Sequence, residues 1–86
     1  MMILTYDIGT TGVKTCLFRL NEPDSPGGAS VSLEDASFAG YALSVLPNGG
    51  VEQNPREWWE AMCKTTRQLA DRRPEACAQI AGISFC

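Results

Sequence analysis

A chain of 86 residues with 44% hydrophobic and 20% charged side chains has the makeup of one small globular domain, able to bury only about 60–65% of the surface it exposes when unfolded. Its net charge of −3, from seven basic and ten acidic residues, argues against a basic patch that could track a nucleic-acid backbone. No apolar run approaches the roughly 20 residues of a membrane span, and the N-terminal run meets Asp7 too soon for a secretory leader, so the expected compartment is the cytosol.

Met2 to Tyr6 is a nearly continuous β-prone run, as expected of a central strand covered on both faces. Val13 to Leu20 reads as a second strand, with Val13, Thr15, Leu17 and Arg19 on one face and Lys14, Cys16, Phe18 and Leu20 on the other. The corner between them is Asp7-Ile8-Gly9-Thr10-Thr11-Gly12, whose glycines are expected to supply the positive backbone angles of a tight hairpin turn. Its side chains are small and polar. The Asp7 carboxylate could hold a cation or its water, Gly9 and Gly12 let the backbone approach an anion, and the Thr10 and Thr11 hydroxyls would face phosphate oxygens. Lys14 could bring an ammonium to the same anion. Such residues also build turns that bind nothing, and a strand follows this corner where a P-loop would have a helix.

Asn21 to Gly28 holds two prolines and two glycines and reads as a loop. A third strand is expected from about Ala36 to Val45, with an earlier start as the alternative and with Gly40 marking a bulge or a close approach. Glu34 and Asp35 interrupt the residues before it, which would form an exposed edge. Pro47-Asn48-Gly49-Gly50 is a turn. Asn54 as N-cap, Pro55 at the first helical position and Glu57 three residues after the cap start a helix in capping-box style. That helix should run to about Arg72, since Pro74 disfavours helix in the residue ahead of it. Trp58, Met62, Thr65 and Leu69 share one face, flanked by Trp59, Cys63, Thr66 and Ala70, and this face is expected to cover a sheet. Pro74 to Gln79 is a connection or helical turn. Ile80 to Cys86 reads as a fourth strand, parallel to the first. Cys16, Cys63, Cys77 and Cys86 lie far apart with no Cys-x-x-Cys and no histidine, a pattern read as reduced, mostly buried thiols rather than a zinc site.

Two motifs in order, with a third behind them, carry a family resemblance. Asp7-x-Gly9-Thr10-Thr11 in a strand-loop-strand resembles the first phosphate-binding segment of the superfamily of sugar kinases, heat-shock chaperones and actin. With Val51-Glu52-Gln53-Asn54-Pro55-x-x-Trp58-Trp59 opening a helix, and Ile80-Ala81-Gly82-Ile83-Ser84-Phe85 after it, nearly the whole chain is similar to the first portion of FGGY carbohydrate kinases, nearest in flavour to xylulokinases and gluconokinases. The family usually has Asp where Asn54 stands, and both cap helices.

The resemblance implies an α/β, ribonuclease H-like fold of the actin-like ATPase superfamily, β-β-β-α-β and incomplete. Residues 1–86 would be the N-terminal portion of the first of two actin-like domains, with the second absent. The implied reaction is ATP-dependent phosphorylation of a sugar or polyol such as a pentulose or gluconate, with Mg²⁺. Asp7 matches the residue that orients Mg²⁺ through its water shell, Gly9, Thr10, Thr11 and Gly12 match the loop cradling the β- and γ-phosphates, and Lys14 matches a basic position that helps neutralise transferring charge. No catalytic residue is carried over, because the general-base aspartate and most sugar contacts are expected beyond Cys86, so the chain alone should be inactive. Glu52 and Gln53 receive no chemistry. The implied partners are the sugar or polyol and ATP, with no nucleic acid and no membrane, and open strand edges would admit a second copy. Two rivals remain: a non-catalytic actin-like or chaperone-like nucleotide-binding segment, against which the Val51 to Trp59 motif argues, and a truncated interaction module.

Overall fold

The computed structural model describes residues 1–21, 30–42, 44–45, 47–49, 51–52 and 54–85. Strands β1 (Met2–Ile8), β2 (Gly12–Asn21) and β3 (Ser30–Gly40) form an antiparallel meander. Two short strands, β4 (Ser44–Val45) and β5 (Val51–Glu52), pair with each other and precede helix α1 (Pro55–Arg72). A single turn of helix, α2 (Pro74–Cys77), leads into β6 (Ile80–Phe85), which lies parallel to β1. The main sheet therefore has the order β3-β2-β1-β6, with the long crossover through α1 that a parallel pair requires. The fourth strand thus runs as expected, up to Phe85; Cys86 lies outside the described residues.

Local chemistry sets the bounds of α1. Asn54 is extended, at φ −95° and ψ 116°, and its Oδ1 accepts the Arg56 N–H at 3.0 Å. Pro55 fits the first helical position because its missing N–H would have no helical partner there. At the other end the Arg73 N–H reaches the Leu69 carbonyl at 2.7 Å, and Pro74 follows. Only half of the capping box forms among the described contacts: Glu57 donates its backbone N–H to the Asn54 carbonyl at 2.9 Å, while no hydrogen bond from its carboxylate back to the Asn54 N–H is found.

Alternation along β1 and β2 puts Met2, Leu4, Tyr6, Val13, Thr15 and Leu17 under the helix, where Ala61, Thr65 and Leu69 are buried against them. Most polar groups inside this layer are paired, as low dielectric demands, while Trp58 Nε1 on α1 is buried without a hydrogen-bond partner among the described residues. Thr15 Oγ1 meets Thr65 Oγ1 at 2.7 Å with both residues fully buried, the Tyr6 hydroxyl meets Thr66 Oγ1 at 2.5 Å, and the Ser37 hydroxyl donates to Gln68 Oε1.

Several expectations need correction. β1 is central, but the helix covers only one of its faces, and Ile3 and Thr5 on the other are half-buried. β3 takes the earlier start, at Ser30, and stops at Gly40 rather than reaching Val45, because its ladder to β2 runs from Gly12 opposite Gly40 to Asn21 opposite Ser30. The irregularity falls at Glu34, where Leu17 pairs with Asp35 and Phe18 with Leu33; Gly40 is instead a close approach, since a Cβ there would lie 3.3 Å from the Thr11 carbonyl oxygen. The buried stripe of α1 is rotated toward Ala61, leaving Trp59 64% exposed and Ala70 exposed. The turn is described at 47–49, with Gly49 at φ +84°; residue 50 and the loop at 22–28 lie outside the described residues, and Asn21 belongs to β2. Cys16, Cys63 and Cys77 are free and half-buried. No described helix is long and apolar enough to cross a membrane.

The irregular part of β3 is tied down by charge. Arg19 Nε lies 3.1 Å from Glu34 Oε2, and Arg72 Nε and Arg73 Nε lie 3.0 and 3.4 Å from Asp35 Oδ2. Burial pushes the Asp35 carboxyl up, but the Ala36 N–H together with Arg72 and Arg73 outweighs it and holds the group below its ordinary value. The Arg19 hydrogen bond lowers Glu34 in the same sense. A carboxyl lowered on folding stabilises while ionised, above its unfolded value near pH 4, and loses that contribution as pH falls through the folded value. Arg72→Ala should therefore lower the urea midpoint at pH 7 by a modest amount, as befits a partly exposed pair, with the gap to wild type narrowing in acid as the pH falls through the lowered Asp35 value. An equal gap at pH 7 and in acid would assign the effect to packing and to the Arg72 hydrogen bond on the Ala36 carbonyl, not to the ion pair.

Candidate functional site

The hairpin joining β1 to β2 turns on two residues, Thr10 and Thr11, between Gly9 and Gly12. The Gly9 N–H donates to the Gly12 carbonyl at 2.9 Å. Below this tip the register pairs Ile8 with Val13 and Asp7 with Lys14, which brings the carboxylate and ammonium residues to neighbouring positions on one face. Since Tyr6, Val13 and Thr15 are buried on the helix side, alternation puts Asp7 and Lys14 on the opposite face. Asp7, Gly9, Thr10, Thr11 and Lys14 are all exposed. The expected site residues are therefore brought together, at the end of the sheet where two strands meet.

Gly12 differs from the rest. It is buried, and a Cβ on it would lie 2.4 Å from Phe38 Cζ and 2.5 Å from the Ala39 carbonyl oxygen. Neither Gly9 nor Gly12 has positive φ; among the described residues only Gly49 does. The expectation that these glycines serve the turn through positive angles is thus corrected: Gly12 is required because β3 and the Phe38 ring press against it. Gly9 is less confined, its nearest neighbour to an added Cβ being the Gly12 carbonyl oxygen at 3.5 Å.

Two residues at the tip were not anticipated. Phe38 pairs with Lys14 across β2 and β3, so it shares the Asp7–Lys14 face, where it is 58% exposed. Tyr41 follows directly on β3; its N–H donates to the Thr11 carbonyl at 3.1 Å and its hydroxyl donates to the Gly9 carbonyl. Both placements depend on Gly12 facing Gly40, a register that the hydrophobic pattern alone does not reveal.

Chemically, an ammonium and a carboxylate that have no partner among the described residues, beside a small polar loop, suit a ligand carrying both signs, such as a polyphosphate with its cation. No ion pair joins Asp7 to Lys14. A cross-strand pair of opposite charges also steadies a hairpin, by about 0.2–1 kcal/mol. No group of three or more carboxylate or cysteine side chains that could cage a metal occurs among the described residues. A cation here fits only as a guest whose other ligands are phosphate oxygens and water, the usual manner for Mg²⁺.

No family model matches the chain. It is 36% identical over 83 residues to the gluconokinase of Bacillus subtilis (strain 168), an alignment covering 96% of this chain and 14% of that protein. Its fold matches the crystal structure of a xyloylose kinase from Brucella ovis with a TM-score of 0.81 and 27% identity, over 99% of this chain and 16% of the other. The chain thus spans about one-seventh of the length of each relative, and these kinases bear out the resemblance drawn from the motifs.

Proposed function

We propose that the chain, similar in sequence to part of a gluconokinase and in fold to part of a xyloylose kinase, is the N-terminal portion of an FGGY-type carbohydrate kinase and forms the first phosphate-binding corner of an enzyme that phosphorylates a sugar or polyol from ATP. The sheet and its covering helix are read as the opening portion of a ribonuclease H-like, actin-like domain, with residues 1–86 as one piece of it. The observation that supports this most is the gathering of Asp7, Lys14 and the Gly9–Gly12 loop on one exposed tip.

Each residue has a physical task in this reading. The Lys14 ammonium attracts the triphosphate and offsets charge on its oxygens. The Thr10 and Thr11 hydroxyls donate to phosphate, and the small loop lets the backbone come close. Asp7 would hold Mg²⁺ through its water shell, and the ion would supply charge to neutralise the triphosphate. Transfer of a phosphoryl group needs little more from this region than positioning and charge. The sugar, pentulose or gluconate by analogy with the relatives, and the aspartate that takes the hydroxyl proton, belong to sequence other than these residues, so the chain alone is inactive. Cytoplasmic ATP supplies the reaction, and the unpaired edge of β6 is where a second copy would add.

A chimera tests this directly. Residues 1–86 are placed in the Bacillus subtilis gluconokinase in exchange for the segment they match, and ADP release is followed with and without gluconate. Gluconate-dependent turnover within about tenfold of the parent (a barrier change of roughly 1.4 kcal/mol) is expected. A folded chimera that binds gluconate yet makes no ADP would remove the phosphate-corner assignment.

A further inference from the structure

We propose that Tyr41 is a positioning residue that presets the Gly9–Gly12 loop for an anion by holding two of its carbonyl groups; the anion itself rests on the phosphate reading above. The chain leaves β3 at Gly40 and crosses the hairpin tip. There the Tyr41 N–H bonds the Thr11 carbonyl at 3.1 Å and the Tyr41 hydroxyl bonds the Gly9 carbonyl, while the Gly12 carbonyl accepts from the Gly9 N–H. Three loop carbonyls thus have donors within the protein. A carbonyl oxygen left facing a phosphate would repel it, so satisfying these oxygens elsewhere removes an obstacle to anion binding.

The peptide plane adds a second effect. In a trans peptide the C=O and the following N–H point in opposite directions. With the Gly9 carbonyl turned to Tyr41, the Thr10 N–H is aimed away from Tyr41. The loop does not enforce this orientation alone, since no left-handed residue locks it and Gly9 has room around its α-carbon. The constraint comes from the end of β3, and the tight approach of Gly40 to the Thr11 carbonyl is what brings Tyr41 within reach.

The test uses the ¹⁵N-labelled chain, titrated with inorganic triphosphate and Mg²⁺ while the amides of Gly9, Thr10, Thr11 and Gly12 are followed by NMR. Tyr41→Phe keeps the ring and removes the hydroxyl. Tyr6→Phe is the control, because it also loses a phenol hydrogen bond, to Thr66 on α1. Tyr41→Phe should weaken triphosphate binding about fivefold, the worth of one net hydrogen bond, and quicken exchange of the Thr10 amide. Tyr6→Phe should bind as wild type does, although its thermal midpoint falls at least as far. Unchanged triphosphate affinity in Tyr41→Phe overturns the proposal. If wild type shows no triphosphate shifts while Tyr41→Phe still moves the loop amides, the phosphate reading fails and the hold of Tyr41 on the loop stands.

Discussion

Asp7→Ala in a gluconokinase carrying residues 1–86 should lower kcat by at least about a hundredfold, the usual effect of removing one preorganised electrostatic group from an active site. The reason lies in where Asp7 sits. It is the penultimate residue of β1, exposed, opposite Lys14 and close to the loop, with no side-chain hydrogen bond or ion pair to another described residue. Its removal should change folding stability by no more than the roughly 1 kcal/mol that a cross-strand charge pair can contribute, so a hundredfold loss of rate in a folded chimera reports chemistry and not unfolding. Asp7→Asn separates charge from shape. If the carboxylate steadies a hydrated cation, the amide should be nearly as poor as alanine; if Asp7 merely packs the strand end, the amide should restore the rate. A chimera that turns over normally with Asp7→Ala would end the case for Asp7, whatever became of the kinase relationship.

Gly12→Ala should have the largest effect on stability. The new Cβ would lie 2.4 Å from Phe38 Cζ and 2.5 Å from the Ala39 carbonyl oxygen. Phe38 is 58% exposed and can swing aside. The Ala39 carbonyl belongs to a strand paired to β2 along its length, and it can move only by disturbing that ladder. Overpacking of this kind costs about 1–3 kcal/mol, and the backbone contact argues for the upper part of that range. In a domain of this size about 2–3 kcal/mol lowers the melting temperature by roughly 10–20 °C. Phe38→Ala combined with Gly12→Ala should recover only part of the loss, while Gly9→Ala, whose nearest contact is 3.5 Å, should stay within about 1 kcal/mol of wild type. Thermal unfolding of the four chains measures this, and a Gly12→Ala chain as stable as Gly9→Ala would refute the packing argument.

Where a periodic apolar pattern met a matching boundary signal, the fold was legible in the residues. β1, β2 and β6 are short apolar runs, and α1 begins at Asn54-Pro55 and stops ahead of Pro74, as those residues dictate locally. The start of β3 was left open because its first half, Ser30 to Asp35, is polar and held by pairing to β2 and by Arg19, Arg72 and Arg73; such an edge strand is specified by its neighbours and not by its own composition. Trp59 was misplaced for a related reason. Two adjacent tryptophans on a helix point about 100° apart, and only the position of the sheet decides which of them turns inward. Of the candidate site, the approach of Asp7 to Lys14 could be read from the two-residue corner. Phe38, Tyr41 and the confinement of Gly12 arise from contacts across β2 and β3, which no local pattern encodes.

The pairing of β6 with β1 joins the two ends of the chain, with Met2 opposite Ile80 and Tyr6 opposite Phe85. This has a consequence during synthesis. At about 5–20 residues per second, β1 leaves the ribosome several seconds before its parallel partner exists, whereas the β1–β2 hairpin can close in roughly 1–10 μs once its residues emerge. The nascent meander must therefore persist with the β1 edge unpaired and Met2, Leu4 and Tyr6 uncovered until α1 and β6 arrive. During that interval the tip carrying Asp7, Thr10, Thr11 and Lys14 can form only as fast and as transiently as a marginally stable hairpin allows, and it becomes lasting once α1 and β6 cover the sheet.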